Sequence, residues 1–414
     1  MVLPVCPQRV QKLLIVQFVV HLPDATPGHD LGWQFIKLAW ERLRGTIVQD
    51  WGWCREEIGG PPAVAMALPA CRGERCGMTR HWGGWTEVKL DALQSYLHGF
   101  TTASSKALKT LYLDLFAGSD ENYSRETGNR FAGSAERALA ASPGFSRVVL
   151  CELDPSAVAG LEAALRRDHP GRDIVVLPGD CNESIPSYLA SLRSSGQGWE
   201  RAPTFAFLDQ VAAEIRWETI EALARFRKGW RKTELWMYFG ESFLPRGMGN
   251  KNPGEAEEFA KRIDAMYGTP RWREIHLGRR QDMLTGAELK HELVNLMRWR
   301  LEHDLDYAIT VPLQITRDNG AGIYTMIFAS DDPTGEKIMR HVSGKAADAL
   351  EQRKARARMK RELARRDAKL GIEGFDGLLE ESISASTGTL RAPIQPIDEP
   401  VEPWRYPFDW PEED

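Results

Sequence analysis

The chain has 414 residues and a formal net charge of −5, from 53 lysines and arginines against 58 acidic residues. Its 43% hydrophobic and 27% charged residues are ordinary for a globular protein and exclude a collagen-like, mucin-like or wholly disordered chain. The charge argues against a generally basic, histone-like protein, and no apolar run reaches the roughly 18 residues of a membrane span, so we expect a cytoplasmic protein that spans no membrane.

Residues 1–80 are expected to form a separate N-terminal extension. Asp30 could cap a helix there, because apolar residues from Trp33 to Ile47 follow a spacing of three and four and form one stripe. Proline and glycine clusters flank this stripe on both sides. Met78 could also begin a shorter chain.

The cysteines of the extension raise the question of a metal site. Cys54, Cys71 and Cys76 lie close together in sequence, but none of them forms a CxxC pair. Free thiols in a reducing cytosol are the favoured interpretation, and no metal is expected.

From residue 104 to 240, short β-rich runs alternate with helix-like segments, which predicts βαβ units and a parallel sheet. The first four runs lack strict alternation, as do strands that are buried on both faces. Two later runs are joined by a link too short for a crossover and should pair antiparallel. The predicted strands are 111–117, 147–154, 173–177, 204–209 and 234–240, followed by 307–315 and 323–330.

Two segments of opposite charge follow the predicted core. Residues 350–370 hold nine cations and three acids, a net +6, on a predicted basic helix that could contact nucleic-acid phosphates or an acidic partner. No aromatic residues interleave with these cations, which weakens a single-stranded nucleic-acid interpretation. Residues 371–414 hold eleven acids and two arginines, a net −9, and are predicted to be a disordered acidic tail.

Acidic residues follow the first four predicted strands at the points where these strands end. Ligands of open α/β sheets bind outside the carboxyl ends of the strands, so these acids are candidate binding residues. Any single acid is explained equally well as a helix cap, whereas four at successive strand ends indicate a ligand site. They stand in the segments Asp114–Ser119, Glu152–Asp154, Asp180–Cys181 and Asp209–Gln210.

The chemistry of these segments favours a cationic adenosine ligand. Gly118 would let the backbone approach the ligand closely, Glu152 suits a ribose diol, and Asp180 could accept from an adenine amine. The sequence contains neither GxGxxG nor GxxxxGK[ST], the motifs that cradle phosphates, so a dinucleotide or ATP is disfavoured. Acid-rich strand ends suit S-adenosylmethionine, which carries a sulfonium and an ammonium group.

The same segments resemble the motifs of class I S-adenosylmethionine-dependent methyltransferases. More narrowly, the chain resembles the three-Cys-motif partner proteins (TcmP), a methyltransferase-like family of bacteria. The resemblance covers roughly residues 80–345. Its motifs are Trp85-Thr86-x-x-Lys89-Leu90, Tyr112–Gly118, Phe207-Leu208-Asp209 with Ile215-x-Trp217, and Ile323-Tyr324-x-Met326-Ile327-Phe328-Ala329.

The resemblance implies a Rossmann-like class I methyltransferase fold over residues 81–349, with a mostly parallel seven-stranded sheet and an antiparallel last strand pair. It implies Asp209 as the catalytic residue, facing the methyl group and the substrate, and association with a radical-SAM-like protein that bears three cysteines. The residues expected to bind S-adenosylmethionine are Asp114, Phe116, Ala117, Gly118, Ser119, Glu152, Asp154, Asp180 and Cys181.

Two departures from the family pattern bear on function. Asp120 stands where the family has a glycine, and Asp209 is followed by Gln210-Val211-Ala212 where the family shows a proline and an aromatic. Amino-methyltransferases that act on nucleobases use such an aromatic to grip a flipped base. Methyl transfer depends on alignment and desolvation more than on an acid or base, so the missing clamp does not exclude an enzyme.

We therefore predict an S-adenosylmethionine-dependent methyltransferase that acts on nucleic acid or on a partner protein. The alternative is a non-catalytic S-adenosylmethionine-binding or adaptor partner of a three-Cys-motif radical-SAM-like protein. The missing proline and aromatic after Asp209 favour the alternative, and the acids at all four strand ends disfavour it.

Overall fold

A computed structural model of the chain describes residues 80–119, 122–125, 127–242, 244–248, 252–316, 322–370 and 399–407. The predictions made for residues 1–79, including the N-terminal helix and the three clustered cysteines, lie outside this part of the chain. Within it, no group of three or more His, Cys, Asp or Glu side chains could hold a metal ion. None of the described helices is long and apolar enough to cross a membrane.

The described residues contain a seven-stranded sheet and a separate two-stranded sheet. The strands are β1 (Arg80–Trp82), β2 (Leu111–Asp114), β3 (Asn122–Ser124), β4 (Arg147–Glu152), β5 (Ile174–Pro178), β6 (Thr204–Leu208), β7 (Glu234–Phe239), β8 (Ile309–Thr316) and β9 (Gly322–Ser330). In the large sheet the order is β5-β4-β2-β6-β7-β9-β8, and β1 pairs with β3 in the small one.

The strand directions confirm the predicted fold class. From β5 to β7, neighbouring strands of the large sheet run parallel. β9 is antiparallel to both β7 and β8, so the last two strands form the expected antiparallel pair. The result is a mixed α/β fold with a mostly parallel seven-stranded sheet, as expected for a Rossmann-like class I methyltransferase fold.

Helices cover both faces of the large sheet. The core on one face takes side chains from α1, α2, α3 and α10, and the core on the other from α4, α5, α7, α8 and α9. The helices are α1 (Gly84–Ala103), α2 (Ser134–Leu139), α3 (Pro155–Asp168), α4 (Cys181–Ser194), α5 (Trp217–Ala224), α6 (Leu244–Met248), α7 (Pro253–Tyr267), α8 (Trp272–Arg280), α9 (Gly286–His303) and α10 (Pro333–Leu370).

The central strands are mostly apolar because both of their faces are covered. Successive side chains of a strand point to opposite faces. In β6, Phe205 and Phe207 enter the α1 side of the core, whereas Ala206 and Leu208 enter the other side. All five residues of β6 and all six of β7 are buried. This burial on both faces explains the continuous apolar runs in the sequence.

The order of the strands places a switch point between β2 and β6. β2 pairs with β4 on one side and with β6 on the other. The chain proceeds from β2 outward to β4 and β5, and then returns to the opposite side of β2 as β6. In open α/β sheets, such a reversal opens a crevice at the carboxyl ends of the strands, where ligands bind.

The basic residues 350–370 continue a longer helix. α10 runs without a break from Pro333 to Leu370. Its first half is anchored by Met339, Val342, Ala346 and Leu350, which recur every three or four residues and are buried in the core with α1. The cations therefore follow on from an anchored helix, with no structural break at residue 350.

Residues 399–407, which belong to the predicted acidic tail, contact helices of the core. The Asn295 side chain accepts from the Val401 N–H at 3.1 Å and donates to the Val401 carbonyl at 2.9 Å. Trp404 lies against α8 at Gly278, where a Cβ would stand 2.5 Å from the indole ring. Net charge predicts disorder only where apolar side chains and backbone groups find no partners, and here both find them. The remaining tail residues lie outside the described part.

Candidate functional site

The acids that the sequence singled out follow four neighbouring strands of the sheet. Asp180, Glu152, Asp114 and Asp209 stand at the ends of β5, β4, β2 and β6, in that spatial order. Because these strands are parallel, their carboxyl ends share one edge. The fold thus brings together residues that are far apart in sequence, beside the switch point.

Asp114 supports the turn after β2 from within the protein. It is fully buried, and its carboxylate accepts from the Phe116 backbone N–H and from the Tyr112 hydroxyl, each at 3.2 Å. Burial raises the pKa of Asp114 to about 6, although hydrogen bonds from Ser134, Phe116 and Tyr112 oppose the rise. Asp114 therefore supports the turn, and any effect that it has on a ligand would pass through that turn.

The glycine turn after β2 is tied to the end of β4. Gly118 has a φ of +68°, and its N–H donates to Glu152 Oε2 at 2.7 Å. The Ala117 N–H donates to the Cys151 carbonyl at 2.9 Å, and Glu152 Oε1 accepts from the Asp154 N–H at 3.0 Å. A carboxylate has about four acceptor positions, so Glu152 can accept a ligand hydroxyl in addition.

Two of the predicted binding residues open helices. Asp154 caps α3 by accepting from the Ser156 N–H at 2.9 Å, and Asp180 caps α4 by accepting from the Asn182 N–H at 2.9 Å. In both residues the capping oxygen is Oδ1, and Asp180 Oδ2 lies 3.8 Å from Arg216. Capping and ligand binding therefore involve different oxygens and can coexist.

Cys181 is a poor candidate for covalent chemistry. It is the first residue of α4, and its side chain is buried. Burial, together with Cys151 and Asp180, raises the pKa of the Cys181 thiol well above its usual value. Cys181 therefore remains a neutral thiol, and any role in the site is limited to packing.

Contacts with the core and with the two-stranded sheet hold the rest of the turn after β2. Phe116 is half-buried against the core, and the Ser119 carbonyl accepts from Asn122 Nδ2 at 3.3 Å. Asn122 Oδ1 accepts from Trp82 Nε1 at 2.9 Å, which joins the β1–β3 pair to this turn. The two-stranded sheet was not predicted, because three-residue strands carry no readable alternation.

Asp209 forms an ion pair with Lys89 of α1. Lys89 Nζ lies 2.5 Å from Asp209 Oδ2, and only 7% of the lysine side chain and 24% of the aspartate side chain are exposed. The ammonium also lies 5.8 Å from the ring centre of Tyr324 and 6.0 Å from that of Phe207. Lys89 stands in the motif that begins at Trp85 and was not among the predicted site residues, whereas the structure gives it a direct contact with the predicted catalytic residue.

Gln210 fixes the loop that follows β6. It is buried, and its Oε1 accepts from the Glu214 and Ile215 N–H groups at 2.9 and 3.0 Å. Its Nε2 donates to the Tyr238 carbonyl at 3.2 Å. The family pattern has a proline and an aromatic here, and this chain instead orders the loop by hydrogen bonds. Val211 is left 74% exposed.

Glu241 and Tyr324 belong to the same region and were not predicted as site residues. Glu241 follows β7, whose carboxyl end lies beside that of β6, and Tyr324 stands on β9, the next strand. Glu241 could have been found from the sequence, because it is an acid that follows a buried strand, as are the four predicted acids. The sequence assigned no role to Tyr324 beyond its place in the motif that begins at Ile323.

Comparisons with known proteins find similarity at the level of fold. No family model and no curated protein matches the chain. The Escherichia coli protein yhhF, assigned as a methyltransferase, is 18% identical at a TM-score of 0.23, and the match covers 34% of this chain and 64% of that one, just under two thirds. An O-methyltransferase from Bacillus cereus, solved in complex with SAH, is 11% identical at a TM-score of 0.31, covering 59% and 89%.

Another solved structure to which the chain is similar is that of the protein LPL1258 from Legionella pneumophila. It is 13% identical at a TM-score of 0.32, and the match covers 59% of this chain and 85% of that one. Likenesses at such identities and TM-scores carry no information about substrate. Function must therefore be argued from the residues of this chain.

Proposed function

We propose that this chain is an S-adenosylmethionine-dependent methyltransferase that binds its cofactor at the carboxyl ends of β2, β4 and β5. The observation that carries the proposal is the convergence of Asp114, Glu152 and Asp180 with the Gly118 turn beside the switch point. Carboxylates favour ligands that are cationic and donate hydrogen bonds. S-adenosylmethionine offers a sulfonium, an ammonium, a ribose diol and an adenine amine, so the residues present fit it.

Glu152 is the residue that we assign to the ribose diol. Because it already accepts from the Gly118 and Asp154 N–H groups, it is held in place before a ligand arrives, and little further order is required on binding. Leu153 follows it with 70% of its surface exposed and offers an apolar face to the adenine ring. Asp180 is the residue that we assign to the exocyclic amine.

In this proposal the protein contributes to the reaction by aligning the methyl group with its acceptor and by excluding water. When bound, the cofactor supplies an electrophilic methyl group on its sulfonium. Asp209 stands across the switch point from the Gly118 turn, on the acceptor side of the crevice. Its pairing with Lys89 holds the carboxylate in one orientation, so Asp209 positions an acceptor.

Calorimetric titration with S-adenosylmethionine tests the proposal. The wild-type chain should bind, and Glu152→Ala should weaken binding by about 1–3 kcal/mol because the ribose hydroxyls and two backbone amides lose an acceptor. Asp173→Ala is the matched control, since this acid precedes β5 at the opposite edge and pairs with Arg147. Absence of heat with wild type at high micromolar ligand would refute cofactor binding.

The second candidate is a non-catalytic S-adenosylmethionine-binding or adaptor protein. The observation that favours it is the loop after Asp209, where Gln210 and Val211 replace a base-gripping clamp. Transfer of a labelled methyl group into cell extract separates the two functions. Label transfer that is lost in Asp209→Asn supports the enzyme, whereas binding without any transfer supports the adaptor.

The proposed partners follow from the resemblance and from α10. We extend the proposal to membership of the three-Cys-motif partner family, with a radical-SAM-like protein bearing three cysteines as the partner. The second partner is nucleic acid, contacted by the cations of residues 350–370. If these cations bind phosphates, the affinity for duplex DNA must fall steeply as salt rises, with a log–log slope of about −0.9 for each contact. A flat salt profile would remove this partner.

A further inference from the structure

Strand β7 carries a buried glutamate at each of its ends, and the two differ in their partners. Glu234 begins the strand and Glu241 follows it, and their exposed fractions are 6% and 1%. Burial raises the pKa of both carboxyls to about 7. Glu234 accepts from the Tyr96 hydroxyl at 2.5 Å and from the Ser330 hydroxyl at 2.9 Å, so both of its oxygens are satisfied.

Glu241 is less well satisfied. Among the described residues, no group completes a hydrogen bond of normal geometry with either of its carboxylate oxygens. Weaker contacts from the Thr325 N–H and hydroxyl and from its own backbone, together with the charge of Lys290, act to lower its pKa, but burial outweighs them. An unsatisfied buried carboxyl costs free energy that a fully hydrogen-bonded one does not, and such a group in a native fold calls for an explanation. A ligand that supplies the missing donors is one.

The place of Glu241 points to the acceptor side of the proposed site. β6 and β7 are parallel neighbours, so Glu241 and Asp209 follow strands that end at the same edge. The ring centres of Tyr238 and Tyr324 lie 4.5 Å apart, and the negative charges of Asp209 and Glu241 both raise the pKa values of these tyrosines. The four side chains therefore form one cluster.

Tyr324 repeats the pattern of Glu241. Its side chain is 4% exposed, and its hydroxyl has no hydrogen-bond partner among the described residues. Glu241 and Tyr324 are thus two buried polar groups without a hydrogen-bond partner of normal geometry among the described residues. They stand just after β7 and on its neighbour β9, at the carboxyl edge of the sheet. One is a carboxylate that only accepts, and the other is a hydroxyl that can accept or donate.

The cluster already binds one ammonium group. Lys89 Nζ contacts Asp209 and lies 5.8 Å from the ring centre of Tyr324, so carboxylate and aromatic faces here suit a positively charged nitrogen. Lys89 neutralises the charge of Asp209. Of the two acids in this described cluster, Glu241 is therefore the one that forms no ion pair. Lys290 of α9 is a further cation near Glu241.

We propose that Glu241 and Tyr324 hold the methyl acceptor and that this acceptor is an amino group. The proposal rests on the proposed methyltransferase function and names its substrate class. The nitrogen lone pair attacks the methyl carbon, the carbon–sulfur bond breaks, and its electron pair stays on sulfur as a neutral thioether. The nitrogen becomes positively charged, and Glu241 takes the proton that it then loses. The faces of Tyr238 and Tyr324 stabilise the developing charge.

A pair of cofactor analogues tests this assignment by calorimetry. In sinefungin a carbon that bears an ammonium group replaces the methylsulfonium, whereas S-adenosylhomocysteine lacks the methyl group. Wild type should bind sinefungin about tenfold more tightly than S-adenosylhomocysteine, because a charge-assisted hydrogen bond to Glu241 adds to the shared contacts. Glu241→Gln should abolish this preference and change the affinity for S-adenosylhomocysteine by less than about twofold.

Two further variants make the test decisive. Tyr324→Phe removes only the hydroxyl and should reduce the preference in part. Glu234→Gln is the matched control at the other end of β7 and should leave the preference intact. If wild type shows no preference, or if Glu241→Gln keeps it, the acceptor assignment is wrong and the methyltransferase proposal stands. If neither analogue binds wild type, the methyltransferase proposal fails, and the assignment of Glu241 and Tyr324 to the acceptor fails with it.

Discussion

Lys89 and Asp209, 120 residues apart in sequence, form an ion pair at 2.5 Å that joins α1 to the end of β6. The lysine is the more buried partner, with 7% of its side chain exposed against 24% for the aspartate. Asp209 therefore compensates a buried cation, in addition to the role in positioning the acceptor that we propose for it. An effect of an Asp209 variant on methyl transfer must be separated from its effect on stability.

A double-mutant cycle on this pair should give an asymmetric result. Asp209→Ala leaves the Lys89 ammonium buried without a counter-charge and should lower the free energy of unfolding by about 3–5 kcal/mol. Lys89→Met leaves a partly exposed carboxylate and should cost less. The double variant should recover much of the loss, as measured by urea denaturation. Strictly additive losses would show that the pair contributes no interaction energy.

The stability of Glu241→Gln relative to wild type should depend on pH. The folded-state pKa of Glu241 is raised to about 7 from 4.5, so the folded state prefers the protonated form and wild type loses stability as pH rises between these values. The variant has no such loss. Its advantage should grow from pH 4.5 to 7, level off above pH 7, and total on the order of 3 kcal/mol.

Thermal unfolding of both proteins from pH 4 to 9 measures this difference. The titratable groups that interact electrostatically with Glu241 are Lys290, Tyr267, Tyr238 and Tyr324, and all are shared by the two proteins. Their titration therefore largely cancels in the comparison. A pH-independent difference would mean that Glu241 titrates normally and is not the buried, unsatisfied acid described above.

Docking of residues 399–407 should depend on the absence of a side chain at Gly278. An added Cβ would stand 2.5 Å from the Trp404 ring, so Gly278→Ala should displace the indole and free the segment. Limited proteolysis with mass analysis should then show earlier loss of the C-terminal residues. Gly286→Ala, on the first turn of α9 with no atom within 4 Å of the new methyl, is the control and should cleave like wild type. Equal cleavage of all three would contradict the docking.

The sheet could be predicted from the sequence because its strands are buried on both faces. Runs such as residues 205–208 contain no polar side chain, so the end of a strand is marked by the first acid that follows. The same rule located Asp114, Glu152, Asp180 and Asp209. Applied to β7 it would also have located Glu241, which stands in the equivalent place after Gly240.

The partners within the site could not be predicted in this way. The pairing of Lys89 with Asp209 depends on how α1 crosses the sheet, and no local pattern encodes that crossing. Docking of the tail segment was hidden for a similar reason, because charge averaged over residues 371–414 conceals the contacts of Trp404. Periodicity fixes which elements form, and tertiary packing decides which of their side chains meet.

A substitution at Gly118 should reduce the affinity for the cofactor by more than its effect on stability explains. Gly118 has a φ of +68°, where a side chain costs about 1–2 kcal/mol, and its N–H donates to Glu152. Gly118→Ala should therefore shift the turn and misplace Glu152. Calorimetry should show weaker S-adenosylmethionine binding, by about tenfold or more, beyond what the loss of stability explains.

Gly128→Ala is the matched control for this prediction. Gly128 has a φ of +72°, and no atom lies within 4 Å of an added Cβ, so the substitution carries the same backbone cost without touching Glu152. The two variants should lose similar amounts of stability in urea denaturation, and only Gly118→Ala should lose affinity. The two substitutions impose similar backbone strain. If both variants lost affinity equally, backbone strain alone would explain the weaker cofactor binding. The Gly118–Glu152 contact would then have no part in holding the cofactor.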